Sequence, residues 1–97
     1  MAVSRTHRYI IDPADLDALI ARRATLLTAI RVAHPGLTET RLTRLEDGTC
    51  TDVWRWDSAE QMKVALADMP RVGAQAGAAW SLTRDATHLD GEIVDER

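Results

Sequence analysis

The sequence predicts an α+β protein whose elements follow the order strand, helix, strand, strand, helix, strand around one four-stranded antiparallel sheet. Three observations support this prediction: an apolar stripe at helical spacing between residues 12 and 33, a hairpin signal at Asp47-Gly48, and a strand that runs directly into a helix at residues 53–61. The 97 residues have the length of one domain, so we expect residues 1–97 to form a single domain.

Composition limits the class of protein and its partners. A formal net charge of −3 argues against nucleic acid or an anionic membrane as a partner. Cys50 is the sole cysteine, which excludes an intrachain disulfide framework. No secretory signal or membrane-length apolar run is visible, so we expect a cytoplasmic protein. A domain of this size buries only about 60–65% of its unfolded surface and therefore gains stability from a partner subunit.

The first half of the chain contains a strand and a long helix. Residues 7–11 are rich in strand formers, and Asp12-Pro13 then provides a helix N-cap and first helical residue. The helix is predicted to run to about Ala33, before the stop signal at residues 34–36. Arg23 lies within its apolar stripe, which indicates a cavity, an ion pair or a snorkelling side chain. The stripe comprises Leu16, Leu19, Ile20, Leu27 and Ile30.

The hairpin signal fixes a predicted register between the two middle strands. Asp47-Gly48 is typical of a two-residue type I′ turn, and counting outward from it places Arg41 opposite Trp54 and Leu42 opposite Val53. A cation–π pair between Arg41 and Trp54 would follow. Neither face of the hairpin is cleanly polar, so we expect helices on one face and, in part, another subunit on the other.

The second half begins with a helix that has its own start signal. Ser58 is a predicted N-cap, with Gln61 three residues later completing a capping box, and Pro70 ends the run. Residues 71–85 are predicted to form a weak further helix, and residues 92–95 a short final strand. The resulting order is the ferredoxin-like βαββαβ arrangement, with helices covering one face of the sheet.

A strand that ends in Trp56-Asp57-Ser58, followed by a helix that opens with residues 59–62, is similar to the Trp-x-Ser-x-Glu pattern of one known family. The chain thus resembles the antibiotic biosynthesis monooxygenase-like proteins, which are dimeric α+β barrels. The resemblance covers nearly the whole chain in element order. It implies a homodimer formed by sheets that pack face to face, with a pocket between helices and sheet in each subunit.

The family includes cofactor-independent oxygenases of phenolic polycyclic substrates and haem-degrading enzymes. The haem-degrading members use an asparagine, a tryptophan and a histidine. This sequence has no asparagine, and residues 64–67 are apolar where many members place a histidine. Only Trp56 is carried over, so we expect neither haem nor another cofactor. The cysteine and the three histidines also lack the short spacings of a metal site, so no metal is expected.

The candidate site residues each have a structural alternative. Arg23 either holds a phenolate or carboxylate or forms an ion pair with an acidic neighbour. Tyr9 and His7 share a strand face and could exchange a proton with a phenol, although a solvent-exposed side chain is favoured for His7, which lies near the terminus. The tryptophans either stack a flat ligand or pack in a core or dimer interface. We therefore predict Arg23, Tyr9 and Trp56 as catalytic residues and Trp54, Met62, Trp80 and His7 as substrate-binding residues.

These observations support two hypotheses of different kinds. The first is a homodimeric, cofactor-independent monooxygenase that acts on a phenolic or anthrone-like aromatic small molecule, an oxidoreductase related to antibiotic biosynthesis enzymes. The alternative is a non-catalytic homodimer of the same fold that binds a small molecule or is purely structural. Fold alone does not distinguish them.

Overall fold

The computed structural model describes residues 1–97 and contains one four-stranded sheet with helices on one side. Its elements are β1 (Val3–Ile11), α1 (Leu16–Ala33), β2 (Leu37–Arg44), β3 (Thr49–Trp56), α2 (Ala59–Ala67), α3 (Gly73–Trp80) and β4 (Thr83–Glu92), with 3-10 turns at Pro13–Asp15 and Met69–Val72. The strands lie in the order β2-β3-β1-β4, and all neighbours are antiparallel. The predicted ferredoxin-like fold is confirmed.

Both predicted helix starts have the expected side-chain caps. The Asp12 carboxylate accepts a hydrogen bond from the Ala14 amide at 2.9 Å, and the Ser58 hydroxyl accepts one from the Gln61 amide at 3.1 Å. These bonds satisfy backbone N–H groups that have no partner within the helix. The caps therefore place the ends of β1 and β3 directly against the starts of the helical segments.

The predicted hairpin register is wrong by one residue. Leu42 lies opposite Asp52, and Arg41 lies opposite Val53 on the outer face of the sheet, so no Arg41–Trp54 pair forms. The loop has three residues rather than two: the Leu45 amide donates to the Thr49 carbonyl, and Gly48 has φ 86°.

The Asp47 side chain explains the longer loop. Its carboxylate accepts hydrogen bonds from the Thr49 amide at 2.9 Å and the Thr49 hydroxyl at 2.7 Å. An aspartate that binds the backbone two residues later stabilises this turn locally. The sequence pair Asp47-Gly48 alone therefore indicated a hairpin but not its loop length.

The final strand is longer than predicted, and the helix before it is shorter. β4 spans ten residues and includes Asp90-Gly91, which had been expected to precede the strand. Every residue of β4 after Thr83 is exposed, so the strand has no buried alternation to reveal it in the sequence. Asp85 has φ 55° near the point where the register with β1 shifts, which places an irregularity in the edge strand.

The core lies between α1–α3 and one face of the sheet. Alternate residues of β1 and β3 point into it, and α1 contributes its apolar stripe. Its largest members include Tyr9, Leu19, Leu26, Ile30, Leu37, Trp54 and Trp56. The opposite face of the sheet has no covering layer in the chain.

No helix has the length and apolar character needed to cross a membrane. The single domain and the cytoplasmic location remain predictions.

Candidate functional site

A buried carboxylate, Asp52, lies at the centre of the helix-covered face of the sheet. Arg23 of α1 binds it through two hydrogen bonds, Nε to Oδ2 and Nη2 to Oδ1, both at 2.9 Å. The Tyr9 hydroxyl donates to Oδ2 at 3.0 Å, and the Trp54 indole N–H donates to Oδ1 at 2.9 Å. Asp52 is 0% exposed, so these four donors supply the pairing that a buried charge requires. The network joins α1 to β1 and β3.

This network determines the protonation state of Tyr9 and the pairing of Arg23. Burial, and then the neighbouring Asp52 charge, raises the pKa of the Tyr9 hydroxyl well above its ordinary value of 10.0. Tyr9 therefore stays protonated and donates to the carboxylate. Of the alternatives stated for Arg23, the structure contains the ion pair, with Asp52 as the acidic neighbour.

A partly enclosed cavity of about 170 Å³ lies on the same face of the sheet, next to this network. Its lining is mainly aromatic and aliphatic, as in small-molecule sites. The His7 ring meets Trp54 edge-on, with 5.0 Å between ring centroids, and Trp54 lies 6.1 Å from Trp80. A cavity of about 150 Å³ is enough to hold benzene, so this one has room for a single aromatic ring. The lining residues are Arg5, His7, Trp54, Trp56, Leu66, Met69 and Trp80.

Two ring nitrogens of cavity residues are buried without a hydrogen-bond partner. They are Nε2 of His7 and Nε1 of Trp56. Trp56 as a whole is 2% exposed. Most buried polar atoms in folded proteins are paired, and leaving one unpaired costs about 1–3 kcal/mol. The indole nitrogen can only donate, whereas the imidazole nitrogen accepts when the other ring nitrogen carries the proton. Both side chains line the cavity, and each of these nitrogens is without a hydrogen bond in the folded protein.

The cavity carries little net charge at neutral pH. Burial lowers the pKa of His7 from 6.5 to about 4, so its imidazole is neutral at pH 7. Arg5 is paired with Asp90 of β4 through two hydrogen bonds of 2.8 and 2.9 Å, and the guanidinium lowers the pKa of that carboxyl. The lining therefore suits a neutral aromatic molecule better than an ion. No group of three or more metal-ligating side chains comes together in the structure.

The depressed pKa of His7 predicts a pH dependence of stability. Between pH 6.5 and about 4 the unfolded chain binds a proton on His7 that the folded protein does not, so stability falls as the pH drops through this window. The stability of the wild type relative to His7→Phe is expected to fall by about 2–3 kcal/mol between pH 7 and pH 4. Urea unfolding at both pH values measures this difference. Parallel pH profiles for the two proteins would contradict the prediction.

The predicted site residues divide into two groups in the structure. The cavity lining includes Trp54, Trp56, Trp80 and His7. The other three lie elsewhere: Arg23 and Tyr9 in the Asp52 network, and Met62 in the core. The catalytic and binding roles assigned to all seven remain predictions.

Sequence reasoning did not single out Asp52, Arg5, Leu66 or Met69. Asp52 alternates with Trp54 and Trp56, so it shares their strand face, and Arg5 precedes His7 by two residues in the same way. Leu66 lies in α2 and Met69 in the turn that follows it, and both continue the apolar face of the helix. These positions were visible from periodicity, but nothing in the sequence indicated that they enclose a cavity.

An antiparallel four-stranded sheet with helices over one face and an aromatic cavity beneath them defines an α+β domain of the ferredoxin-like order. Solved structures of the same fold include SnoaB, a cofactor-independent oxygenase from Streptomyces nogalater. That likeness has a TM-score of 0.74 and 22% identity, and it covers 98% of this chain and 95% of SnoaB. A structure named as an antibiotic biosynthesis monooxygenase has a TM-score of 0.70 and 14% identity, covering 96% of this chain and 99% of its own.

A third similar structure is MhuD with two manganese protoporphyrin IX molecules bound per active site. It has a TM-score of 0.75 and 24% identity, and the likeness covers 98% of this chain and 97% of MhuD. No protein-family model matches the chain, and no curated protein sequence matches it. The resemblance to antibiotic biosynthesis monooxygenases is thereby confirmed at the level of the fold, which does not by itself define the reaction.

Proposed function

We propose that the protein is a cofactor-independent monooxygenase that oxidises a phenolic or anthrone-like aromatic in the cavity. The observation that carries this proposal is a cavity walled by three tryptophans, in which the lining side chains of His7 and Trp56 each have a buried ring nitrogen without a hydrogen-bond partner. The fold shared with SnoaB, a cofactor-independent oxygenase, supports it.

The reaction needs no external reductant, because the substrate supplies the electrons. A methylene between aromatic rings reacts as R₂CH₂ + O₂ → R₂C=O + H₂O, and a phenol with a free para C–H likewise gives a quinone and water. One oxygen atom enters the product and the other leaves as water. The protein has to remove a proton, orient the ring and exclude solvent from the carbanion or phenolate.

The residues of the cavity divide these tasks. His7 Nε2 accepts the hydroxyl proton as a neutral imidazole, and the Trp56 N–H donates to the oxygen on which negative charge develops. Arg5 adds positive charge at the lining, moderated by Asp90. Tyr9 and Arg23 do not contact the substrate in the proposed reaction. They bind Asp52, and Asp52 in turn holds the indole of Trp54, which forms a wall of the cavity.

Cavity size favours a small substrate. At about 170 Å³ the cavity lies below the range of about 300–1,000 Å³ typical of sites for drug-sized ligands. A single-ring phenol fits the cavity as it stands, whereas a three-ring anthrone needs additional space. We therefore infer that single-ring phenols with a free para position bind without rearrangement.

The direct test is oxygen consumption with a single-ring phenol and with a dihydroxyanthrone, followed together with quinone absorbance. With ¹⁸O₂, the proposal requires one labelled atom in the quinone product and one in water. Heat-treated protein is the control. A rate no greater than that of the heated protein, for both substrates, would remove the enzyme proposal.

A non-catalytic binding domain is the second candidate, and the Asp52 network favours it. Asp52 occupies the donors of Tyr9 and Arg23, two polar groups that a catalytic site of this kind could otherwise use. In that case calorimetry detects binding of a phenol with no oxygen uptake. Binding together with turnover excludes this candidate.

Haem is a poor fit for this chain, although MhuD of the same fold binds a manganese porphyrin. A porphyrin is larger than the drug-sized ligands that need about 300 Å³ or more, and with the Trp56 indole in place the cavity is about 170 Å³. The side chain that α2 contributes to the lining, Leu66, is apolar and cannot ligate iron. We therefore retain the cofactor-independent proposal.

The uncovered face of the sheet supports the proposal of a homodimer. Across the four strands, Arg41, Val53, Thr6 and Leu89 form one row on this face. Leu89 is 78% exposed and Val53 36% exposed, which places two apolar side chains in water on a surface that a second copy could cover. A small domain that packs such a face against its twin gains the burial that it lacks alone.

Replacing Leu89 with lysine is expected to weaken this dimer, because two copies would bring unpaired charges into the interface. Light scattering after gel filtration should show the wild type at twice the 10.8 kDa chain mass and the variant shifted towards the monomer at micromolar concentration. Val32→Lys is the matched control, since Val32 is 80% exposed on α1 and lies away from the sheet. A monomeric wild type, or equal masses for the wild type and Leu89→Lys, would contradict the prediction.

A further inference from the structure

Trp56 lines both the cavity and a second space, and no other residue is shared between the two linings. This second space is a groove of about 290 Å³, lined by the end of α1, the turn at residues 34–36 and α2. Gln61 and Val64 of the groove are exposed, so the groove opens to solvent.

The two tryptophans of β3 are held in different ways. The Trp54 N–H donates to Asp52 at 2.9 Å, which fixes the orientation of its indole. The Trp56 N–H is buried and has no partner, so only packing holds that indole in place. Rotation of Trp56 therefore breaks no hydrogen bond, whereas rotation of Trp54 would leave a buried carboxylate underpaired.

We propose that Trp56 is a movable partition that sets the size of the aromatic substrate. With the indole in place, the cavity accepts one ring. When a larger phenol displaces the indole, the cavity and the groove become continuous, and their combined space exceeds the lower limit of about 300 Å³ for drug-sized ligands. A tricyclic hydroxylated aromatic then extends from the His7 end into the groove.

This inference rests on the proposed function only in taking the ligand to be a phenolic aromatic. It concerns binding, so it is tested without turnover. Calorimetry is carried out with two redox-stable probes, hydroquinone under nitrogen for one ring and 1,8-dihydroxyanthraquinone for three rings. Each probe is titrated into the wild type, Trp56→Leu and Val64→Ala.

Trp56→Leu removes the partition, so we expect the affinity for the tricyclic probe to rise at least tenfold relative to hydroquinone. Val64→Ala is the control, because it enlarges the groove without touching the partition, and its affinity ratio should stay within twofold of the wild type. The inference is overturned if folded Trp56→Leu keeps the wild-type ratio, fails to bind the tricyclic probe, or changes no more than Val64→Ala.

A second measurement uses the unmodified fold, in case Trp56→Leu does not fold. The protein is labelled with 5-fluorotryptophan, and the three fluorine resonances are assigned with single Trp→Phe variants. We expect the tricyclic probe to shift the Trp56 resonance more than that of Trp54, and more than hydroquinone shifts it. A Trp56 resonance that the tricyclic probe does not move overturns the inference.

Failure of this inference and failure of the proposed function are distinguishable. If the protein is an active oxygenase but Trp56→Leu does not change its preference for substrate size, only the proposal of a movable partition is contradicted. If the protein has no oxygenase activity but Trp56→Leu binds the tricyclic probe more tightly, the partition is supported and only the enzyme proposal is contradicted.

Discussion

Asp52→Asn is expected to lower the free energy of unfolding by about 3–5 kcal/mol, as breaking a buried ion pair typically does. The amide keeps the shape of the side chain but removes the charge opposite Arg23, whose side chain is only 13% exposed. Each oxygen of Asp52 accepts two hydrogen bonds, so the amide nitrogen necessarily faces two donors whichever way it is oriented. The substitution therefore leaves the Arg23 guanidinium without a counter-charge and also places the new amide N–H groups against two other hydrogen-bond donors.

Thermal and urea unfolding measure this effect. For a domain of this length each kcal/mol shifts the Tm by about 4–8 °C, so the expected fall in Tm is more than about 12 °C. Asp17→Asn makes the same chemical change at an exposed position of α1 and should cost less than about 0.5 kcal/mol. A loss below about 1 kcal/mol for Asp52→Asn would mean that the network contributes little to the fold.

The same variant connects the structural role of the network to the shape of the cavity. Loss of Asp52 releases the Trp54 N–H, so the indole that forms one wall of the cavity is no longer fixed. If Tyr9 and Arg23 act only through this wall, Tyr9→Phe should weaken ligand binding without changing the pH dependence of turnover. Stability and site geometry are thus coupled through one carboxylate.

The order of elements could be predicted because each helix carries its own start signal. Asp12 and Ser58 both cap as expected, and Ser58 follows β3, whose residues alternate between a buried and a more exposed face. β4 had no such signal, since its side chains are exposed on both faces and only pairing with β1 defines it. The register of the hairpin depended on a side-chain bond from Asp47, which the dipeptide pattern does not contain.

The site was predicted in part for a similar reason. Strand alternation places Trp54 and Trp56 on one face, and that much followed from sequence. Whether an indole is anchored depends on a donor–acceptor contact across strands and helix, and such contacts exist only in three dimensions. Arg23 interrupted the apolar stripe of α1, which left a cavity, an ion pair and a snorkelling side chain as alternatives, and the ion-pair partner lies 29 residues away on β3.

His7→Phe is expected to lower the rate of quinone formation by a factor of about 10²–10⁴, the usual contribution of a general base. The phenyl ring keeps the edge contact that His7 makes with Trp54 at 5.0 Å, so the shape of the cavity is retained. What is lost is Nε2, the unpaired nitrogen that accepts the substrate proton in the proposed reaction. The effect should therefore appear in kcat rather than in KM.

The pH profile separates this base from a merely structural histidine. Because burial lowers the pKa of His7 to about 4, the acid limb of the wild-type kcat/KM profile should lie near pH 4 instead of 6.5, and it should be absent from His7→Phe. His88 faces His7 across the β1–β4 pair and is exposed, so His88→Phe makes the same change outside the cavity and should alter the rate less than threefold. A His7→Phe enzyme that retains the wild-type rate and acid limb would show that the proton is accepted elsewhere, and the base would then have to be solvent or the substrate itself.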